Sequence, residues 1–346
     1  MALWHPKDIR QSKIIISPLN WGLGHATRLT LLVKQLLAND NHILLTGSSP
    51  SIDILAEEFP NLEIKKWQEA PYCFDKKFFS ISSLISFHKQ LNTQIKKDKK
   101  RATQLSKTFK ADYIISDNRY GFYSDTTKNI LITHQTCIKT PWGLIADNIV
   151  CKFMHKYLSP FDAIWLPDDK SVKLAGYLAW KKRKPNIIDI GFLSYACNQN
   201  KQEEKKEWDV MILLSGPEPS RSMIEKKIIQ QIDAINGKKL MVAGKKYGAN
   251  FGIKGLEYIS YLSYKEVIKQ MNRSKLVICS SGYSTIMDLY CIGVPAILIP
   301  TPRQTEQLYL AKYLSKRFPQ QFVSLEIKHI TYLPEIANII IEGKDK

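Results

Sequence analysis

Short apolar runs alternate along this chain with segments in which apolar residues recur every three or four positions. The runs have the length of buried strands, and the recurring spacing is that of amphipathic helices. In the first pair, a strand predicted over residues 13–17 precedes a helix that begins near Ala26. Strands that alternate with helices form parallel sheets, so the pattern predicts an α/β fold made of βα units.

The alternation runs through the first half of the chain, pauses and starts again. The polar, charged segment 198–207 marks the pause and is predicted as a linker. Before it, further strands are predicted over residues 42–46, 62–67, 112–116, 129–133, 163–166 and 186–190. After it, strands are predicted over residues 209–214, 240–243, 276–279 and 296–299, with helices over 219–235, 265–272, 284–292, 306–314 and 333–341.

The chain has 346 residues, which is more than one compact core ordinarily organises. We therefore predict two Rossmann-like domains with parallel sheets, residues 1–197 and 208–330, joined by the linker. Residues 331–346 form a C-terminal helix that could pack back on the N-terminal domain. If the two sheets face each other across a cleft, the carboxyl ends of their strands line it, where open α/β sheets bind ligands.

Composition narrows the classes of protein and of partner. No apolar run approaches the ~20 residues of a membrane span, and the N-terminus lacks a signal-peptide pattern, so we expect a cytoplasmic protein. Six cysteines without a CxxC pair favour reduced thiols and argue against a metal site, and no cofactor is predicted. The formal charge of +18 indicates an anionic partner: nucleic acid, an anionic membrane or a phosphorylated substrate.

One stretch concentrates the positive charge. Eight basic residues and one acid, Asp98, lie between Lys89 and Lys110, just after an apolar stretch at residues 78–87. Such a pair of segments is typical of a protein that rests on anionic lipid, here the inner face of the membrane. A buried segment followed by a solvated helix face has the same pattern, so both interpretations stay open.

A glycine-containing loop separates the first predicted strand from the first helix. Gly22 and Gly24 let a ligand approach the backbone, and the start of the helix offers free N–H groups. The spacing is not that of a dinucleotide-binding loop, because Thr27 occupies the position of the third glycine. His25 could act as a base or merely cap the helix, and the local sequence supports both roles equally.

A second loop, with Ser281 and Gly282, joins a buried strand to a helix in the C-terminal half. Small residues there expose successive backbone N–H groups, and the helix dipole adds positive potential, so the turn could bind a diphosphate without a metal. Asp288, inside the helix, could accept two hydrogen bonds from a vicinal diol such as ribose. Taken alone, the turn is better explained as an ordinary helix cap.

Two more strand–helix junctions of the C-terminal half carry polar side chains. Gln304 and Gln307 could bind sugar hydroxyls, or could belong to a capped surface helix. Gly216 and Arg221 belong to the first junction of this half, where Arg221 could meet a phosphate.

Taken together, these junctions resemble a known family. One set of residues resembles the C-terminal domain of family 28 glycosyltransferases: the run from Ser281 to Asp288, the segment 293–296, Pro300 and Gln307. The loop that ends in His25, and the segment 132–135 with His134, resemble two loops of the family's N-terminal domain. The resemblance implies the GT-B fold, with an acceptor-side N-terminal domain and a C-terminal domain that binds a nucleotide-sugar donor.

The resemblance also implies roles on the donor side. Ser281 and Gly282 match the turn near the donor diphosphate, and Asp288 stands where the family has a ribose-binding glutamate. Gln307 matches a glutamine that binds the donor sugar, and the backbone near Leu262 matches a contact to uracil. The remaining donor-side candidates are Gly216, Arg221 and Gln304.

In the N-terminal half, His25 matches a histidine proposed to act in catalysis, where it would take the proton of the acceptor hydroxyl. Asp117 is either a rival base or the group that orients His25. The acceptor-side candidates are Gly22, Gly24, Arg28, Arg119 and His134.

Three loops depart from the family's pattern. The first has Asn20 and Trp21 in place of a denser glycine run, the segment 215–219 replaces Gly-Gly-Ser-Gln-Gly, and Gln135 replaces a glutamate. These departures put the family's acceptor in doubt more than its donor. The form Gly-x-Gly-His-x-x-Arg also resembles nucleotide-sugar hydrolases, in which water replaces the acceptor.

The sequence therefore predicts a metal-independent, inverting glycosyltransferase. It would move a hexose or N-acetylhexosamine from a UDP-sugar to an unknown acceptor, which could be lipid-linked. A nucleotide-sugar hydrolase or epimerase of the same fold is the alternative. A non-enzymatic nucleic-acid-binding protein is a remote alternative that only the charge suggests, because no recognition motif supports it.

Overall fold

The computed structural model describes residues 4–20, 23–69, 81–181, 185–198, 204–216, 218–245 and 252–343. The chain divides into two compact units, each built around one parallel sheet. The first unit comprises residues 1–138, 144–171 and 179–191, and the second comprises residues 139–143, 172–178 and 192–346. The predicted α/β architecture is confirmed.

The sheet of the first unit has seven parallel strands, β1 to β7, in the order β3-β2-β1-β4-β5-β6-β7. They are β1 (Lys13–Pro18), β2 (His42–Gly47), β3 (Glu63–Lys66), β4 (Tyr113–Asp117), β5 (Lys128–Ile132), β6 (Ala163–Leu166) and β7 (Ile187–Asp189). The helices of this half of the chain are α1 (Leu23–Leu37), α2 (Ser51–Glu58), α3 (Ile81–Phe109), α4 (Leu144–Leu158) and α5 (Tyr177–Trp180). The direction of chain progression reverses between β1 and β4, which are neighbours.

The strands predicted in this half agree with the observed ones within one residue at each end. Their apolar runs are continuous because the central strands are buried on both faces, as in parallel sheets covered by helices. In β1, for example, Ile14, Ile15 and Ile16 are all fully buried. Helix α1 packs its predicted apolar stripe inward, with Leu29 and Leu36 fully buried.

The sheet of the second unit has six parallel strands, β8 to β13, in the order β10-β9-β8-β11-β12-β13. They are β8 (Trp208–Leu213), β9 (Lys239–Val242), β10 (Leu256–Ile259), β11 (Ser274–Cys279), β12 (Ala296–Leu298) and β13 (Phe322–Ser324). Its helices are α6 (Ser220–Ile229), α7 (Tyr264–Asn272), α8 (Tyr283–Ile292), α9 (Thr305–Arg317) and α10 (Leu333–Glu342). Here the reversal falls between β8 and β11.

The C-terminal helix α10 belongs to the second unit. Leu333 and Ala337 are fully buried in the same core as Val210 and Ile278 from the sheet of that unit. The structure therefore differs from the expectation that this helix could pack back on the N-terminal domain. The reason is its apolar stripe, which completes the hydrophobic core of the sheet that immediately precedes it in the chain.

The boundary of the second unit also differs from the predicted linker at 198–207, of which residues 199–203 lie outside the described residues. The continuous part of the unit begins at Phe192, and Ser194 in this segment donates a hydrogen bond to Asp288 of α8. The unit also includes residues 172–178, which tyrosines of α9 hold by hydrogen bonds. Tyr313 donates to the carbonyl of Lys173 over 2.9 Å, and the hydroxyl of Tyr309 accepts from the backbone N–H of Tyr177 over 2.6 Å.

Four cysteines differ from the expectation of reduced thiols. Disulfides join Cys137 to Cys151 in the first unit and Cys197 to Cys291 in the second. The partners are 14 and 94 residues apart, so the fold brings them together where a search for CxxC spacing finds nothing. Cys279 is buried and has a free thiol.

Helix α3 carries the basic segment. Its acid, Asp98, is buried, whereas Lys89, Lys96, Lys97 and Lys100 are exposed. The described side chains therefore form a solvated helix face, as one of the two interpretations of this segment expects. Residues 78–80 of the preceding apolar stretch lie outside the described residues. Within the described part of the chain, no helix is long and apolar enough to cross a bilayer.

Candidate functional site

The candidate residues of the first unit gather where the chain direction reverses. Pro18 at the end of β1 lies opposite Asp117 at the end of β4, so the loops that follow both strands emerge side by side. Helix α1 begins in the first of these loops and carries His25 in its first turn. In open α/β sheets this reversal point, at the carboxyl ends of the strands, is the usual ligand site.

His25, Asp117 and Arg28 form one hydrogen-bonded cluster. Nδ1 of His25 lies 2.9 Å from Oδ2 of Asp117, and Nε of Arg28 donates to the same oxygen over 3.2 Å. The other oxygen of Asp117 accepts from Nη2 of Arg28. Asp117 is fully buried, whereas the side chain of His25 is 15% exposed. The sequence pointed to these three residues, and the structure brings them together.

The charges in this cluster set the protonation of both groups. Burial alone would raise the pKa of Asp117, but Arg28 and His25 outweigh it and hold that pKa below its ordinary value. Burial lowers the pKa of His25, although Asp117 acts in the opposite direction. Nδ1 of His25 lies 2.9 Å from Nη2 of Arg28 as well as from Asp117. In the tautomer that carries its proton on Nδ1, a neutral His25 donates to the ionised Asp117 and keeps Nε2 as a proton acceptor. This arrangement favours Asp117 as the orienting group over Asp117 as the base.

Arg119, proposed on the acceptor side, is used within the fold. Its guanidinium is fully buried and donates to Glu69 over 2.5 and 3.1 Å and to Asp98 over 2.6 Å. Burial lowers the pKa of Arg119, but the two carboxylates outweigh it and raise that pKa. The side chain therefore links α3 and the segment after β3 to the end of β4. Its positive charge is compensated by these two carboxylates, so it is not available to bind an anionic ligand.

The other acceptor-side candidates are His134, Gly24 and Gly22. His134 follows β5, the neighbour of β4, and is 5% exposed, and its charge lowers the pKa of His25. The carbonyl of Gly24, in the first turn of α1, accepts from the hydroxyl of Thr27 over 3.1 Å. Gly22 lies outside the described residues.

The second unit places its candidates at the corresponding reversal point. Ser215 follows β8 and Ser280 follows β11, and their hydroxyl oxygens lie 2.8 Å apart. Gly216 is exposed with φ +100°, a backbone conformation that favours glycine. Gly282 is the N-cap residue of α8 and has open space where a side chain would begin, so a ligand can approach its backbone.

Ser281 and Gln307 join the starts of α8 and α9. The buried hydroxyl of Ser281 donates to the carbonyl of Gln307 over 2.8 Å, so this hydroxyl is used within the fold. The side-chain oxygen of Gln307 accepts from the N–H of Thr301 over 2.9 Å. This bond orients the amide and leaves its nitrogen as a hydrogen-bond donor.

Asp288 lies almost buried in α8, with two hydroxyl partners that the sequence did not reveal. One of its oxygens accepts from Ser194 over 2.5 Å and from Tyr264 over 2.7 Å. Burial raises the pKa of Asp288 to about 7, although both hydroxyls lower it. Ser194 is 94 residues away, so no local signal could have identified it. Only the second oxygen of Asp288 is left to accept from a diol.

The remaining donor-side candidates are Arg221, Gln304 and Leu262. Arg221 donates to Glu218 over 2.6 Å and to the carbonyl of Gly244 over 2.5 Å, so its predicted phosphate contact would require it to leave both partners. Gln304 is the N-cap residue of α9. Leu262 is partly buried in the loop between β10 and α7. Among the described side chains, no three His, Cys, Asp or Glu residues form a group that could hold a metal ion.

Comparison with protein families gives a match in the second unit. Residues 194–335 match the Glycosyltransferase family 28 C-terminal domain, and the match begins at Ser194, close to the start of the unit. The match covers most of the second unit. The predicted resemblance is confirmed, and so is the enzyme class, a glycosyltransferase. The non-enzymatic alternative is thereby removed.

A short stretch also matches a named relative. Over 56 residues it is 43% identical to the UDP-N-acetylglucosamine–N-acetylmuramyl-(pentapeptide) pyrophosphoryl-undecaprenol N-acetylglucosamine transferase of Desulforudis audaxviator. The stretch spans 16% of this chain and 15% of that relative.

Solved glycosyltransferase structures match nearly the whole chain. The glycosyltransferase of kitacinnamycin has a TM-score of 0.63 at 12% identity, over 96% of this chain and 94% of its own. The spinosyn rhamnosyltransferase SpnG, complexed with thymidine diphosphate, has 0.62 at 11% identity, over 96% and 95%. MurG of Acinetobacter baumannii has 0.55 at 11% identity, over 97% and 91%. At these identities the likeness is one of fold, and it confirms the predicted GT-B class.

Proposed function

We propose that this glycosyltransferase transfers a sugar from a UDP-sugar to an acceptor hydroxyl, with inversion at the anomeric carbon and without a metal ion. The cluster of His25, Asp117 and Arg28 carries the proposal, because it supplies an oriented general base at the ligand-binding edge of the first unit. The family 28 domain of the second unit supplies the donor-binding half.

In the proposed reaction, Nε2 of His25 takes the proton of the acceptor hydroxyl as its oxygen attacks the anomeric carbon. The bond between that carbon and the oxygen of the β-phosphate breaks, and UDP leaves with the electron pair. A single displacement of this kind inverts the configuration at the anomeric carbon. Asp117 stabilises the imidazolium that forms, because the two groups share a hydrogen bond of 2.9 Å.

On the donor side, negative charge grows on the departing diphosphate. Backbone N–H groups of the turn at Ser281 and Gly282, together with the start of α8, would stabilise it, and losing one such donor typically costs about 3 kcal/mol in the barrier. The amide nitrogen of Gln307 would bind sugar hydroxyls, and the second oxygen of Asp288 would accept from the ribose diol.

Two of the related proteins support the choice of donor and acceptor class. The relative from Desulforudis audaxviator is named for a UDP-sugar donor and a pyrophosphoryl-undecaprenol acceptor, and SpnG was solved with thymidine diphosphate. We therefore propose that this chain uses a nucleoside diphosphate sugar as donor and a lipid-linked hydroxyl as acceptor.

Product analysis tests this proposal. The protein is incubated with UDP-sugars labelled in the sugar, with and without a cellular lipid extract, in the presence of EDTA. The proposal expects label in the organic phase only when extract is present, with release of UDP. Free labelled sugar without extract would support the hydrolase alternative, and an isomerised UDP-sugar would support the epimerase. A strict need for a divalent metal would contradict the metal-independent mechanism.

A further inference from the structure

A short segment near the start of the second unit is attached to helix α8 beside Asp288. Its residues 195–198 form one 3-10 turn that packs on α8, the 195–198 turn. Ser194, just before this turn, donates to Oδ1 of Asp288 over 2.5 Å. A disulfide joins Cys197, in the turn, to Cys291 of α8. The hydrogen bond and the disulfide are three residues apart on both segments, so they hold the turn to α8 at two neighbouring points.

Ser194 orients the carboxylate of Asp288. Its hydroxyl and that of Tyr264 both donate to Oδ1, over 2.5 and 2.7 Å. The backbone N–H of Ala196 donates to the hydroxyl oxygen of Ser194 over 3.2 Å, and the hydroxyl proton is directed to Asp288. Two donors on one oxygen restrict the rotation of the carboxylate. The other oxygen therefore keeps one orientation in which it would accept from the ribose diol of the proposed donor.

The second donor to Asp288 also depends on the turn. The N–H of Tyr195 donates to the hydroxyl of Tyr264 over 3.3 Å, and Tyr264 donates to Asp288. A 3-10 helix of one turn is not stable by itself, because its hydrogen-bond geometry is poor. Its position on α8 is therefore set by its attachments, of which the disulfide alone is covalent. Opening the disulfide frees two segments that are 94 residues apart in the chain, which favours local detachment of the turn.

The disulfide of the turn is accessible to a reductant. Cys197 is exposed and Cys291 is partly buried. Their Cα atoms lie 4.9 Å apart, a separation that a disulfide spans without movement of the backbone, so the bond can form again after reduction. Cys137 and Cys151, which form the disulfide of the first unit, are both buried. Since exchange requires a thiolate to reach one of the two sulfurs, a reductant in solution attacks the disulfide of the turn first.

We propose that the Cys197–Cys291 disulfide is a redox switch of donor binding, which acts through the contact of Ser194 with Asp288. In the reducing step, a thiolate of a small dithiol attacks Sγ of Cys197, the S–S bond breaks, and Cys291 leaves as a thiolate that takes up a proton. The second thiol of the reductant then displaces Cys197. The reductant ends as its own disulfide, and the protein gains two electrons and two protons. The effect on donor binding rests on the proposed role of Asp288, whereas the release of the turn does not.

Titration calorimetry of the full chain with UDP tests this inference. The Kd is measured for the oxidised protein and again in dithiothreitol. Reduction should raise the Kd of the wild type by about tenfold, because the ligand must then order the carboxylate itself. Cys197→Ala/Cys291→Ala should have the higher Kd in both conditions. The matched control Cys137→Ala/Cys151→Ala lacks the buried disulfide and should respond to dithiothreitol as the wild type does.

The variant Ser194→Ala distinguishes positioning from a general loss of structure. Oxidised Ser194→Ala should bind UDP about tenfold more weakly than the oxidised wild type, because Asp288 loses one of its two donors. Reduction should then weaken binding by less than it does in the wild type, since the disulfide acts through the hydroxyl that is missing. Equal affinities of the oxidised and reduced wild type for UDP would overturn the inference. A full response to dithiothreitol in Cys197→Ala/Cys291→Ala would also overturn it.

Hydrogen exchange of the wild type tests the switch without depending on the donor. The backbone amides of residues 195–197 all donate hydrogen bonds in the turn. Dithiothreitol should speed their exchange and leave that of β1 unchanged. Faster exchange without UDP binding in either state would support the redox release of the turn and contradict the proposed UDP donor. Unchanged exchange on reduction would overturn the switch.

Discussion

At the scale of single residues, His25 is subject to two opposing effects. Burial lowers its pKa, and the neighbouring carboxylate of Asp117 raises it, with a net lowering below 6.5. An imidazole with a lowered pKa is neutral at physiological pH and can take a proton. Asp117 cannot easily share that role, because its pKa is lowered and Arg28 occupies both of its oxygens.

Replacement of His25 tests its role as base. In His25→Ala we expect kcat to fall by about 10²- to 10⁴-fold, the usual contribution of a general base, while the affinity for the donor stays unchanged. His42→Ala, an exposed histidine of the same unit, is the matched control. Steady-state kinetics with labelled donor measures both. Full turnover in His25→Ala would rule out this residue as base.

The pH profile provides an independent test of the same cluster. The base must be neutral, and the pKa of His25 is lowered from its ordinary value of 6.5. We therefore expect kcat/KM to stay constant as the pH falls below 6.5, and to decrease only when the pH reaches the lowered pKa of His25. Asp117 raises the pKa of His25, so Asp117→Asn should move the acid limb to still lower pH, alongside a loss of rate. An acid limb that does not move would show that Asp117 does not act through His25.

Asp288 predicts a pH-dependent stability. Its folded pKa of about 7 lies above the ordinary value of 3.8, so the folded state holds the proton more tightly than the unfolded state does. The stabilisation is complete below pH 3.8 and is lost as the pH rises towards 7. Asp288→Asn keeps a hydrogen-bond acceptor for Ser194 and Tyr264 but does not titrate. The Tm of this variant relative to that of the wild type should therefore increase as the pH rises from 3.8 to about 7. Asp233→Asn, at an exposed position, is the control and should show no such trend. A constant Tm difference would contradict the raised pKa.

At the scale of elements, one buried ion cluster joins separate segments of the first unit. Arg119 after β4 joins Asp98 of α3 to Glu69, and all three side chains are nearly inaccessible. Removing one partner of a buried ion pair leaves a charge without compensation. This cluster also explains why a single acid stands in the basic segment: Asp98 is an internal partner and not part of the surface charge.

Arg119→Ala should therefore destabilise the chain by about 3–5 kcal/mol, because two buried carboxylates lose their partner. Arg101→Ala is the control, since this arginine is 33% exposed and lies 3.9 Å from Asp98. Urea denaturation of both variants measures the difference in the free energy of unfolding. Equal effects of the two substitutions would show that the cluster contributes no more than a surface ion pair.

The elements that the sequence predicted are those with a strong apolar pattern. The continuous runs of β1, β4 and β11 are buried on both faces, so their composition alone identified them. Edge strands β10 and β13 escaped, because β10 has an exposed residue between its two buried ones and β13 has a single buried residue. Helix α4 escaped because its outer stripe is apolar, which removes the contrast on which a helical pattern depends.

The site divides in the same way. Local motifs were enough to propose His25, Ser281 and Gln307 as site residues, because each lies in or next to a loop that follows a strand. The hydrogen-bond partners of Asp288, Ser194 and Tyr264, come from distant segments and carry no motif. The internal use of Arg119 was hidden for the same reason, since its partners are 21 and 50 residues away.

At the scale of the whole molecule, two parallel sheets of seven and six strands each bring candidate residues to their point of reversal. In the proposed function, His25 of the first unit acts as the base, and the turn at Ser281 and Gly282, within the region that matches the family 28 C-terminal domain, binds the diphosphate. The charge of +18 agrees with a diphosphate substrate and with an anionic surface. The proposed roles of the two units both require that the protein binds a nucleoside diphosphate sugar without a metal ion.

Thermal unfolding in the presence of UDP-sugars tests that property most directly. A ligand at 100 times its Kd stabilises the folded state by about 2.7 kcal/mol, which is readily seen as a rise in Tm. We predict that at least one UDP-sugar raises the Tm and that EDTA leaves the rise unchanged, whereas Gly282→Pro at the proposed diphosphate turn diminishes it. No rise with any nucleoside diphosphate sugar, or a rise that EDTA abolishes, would contradict the account.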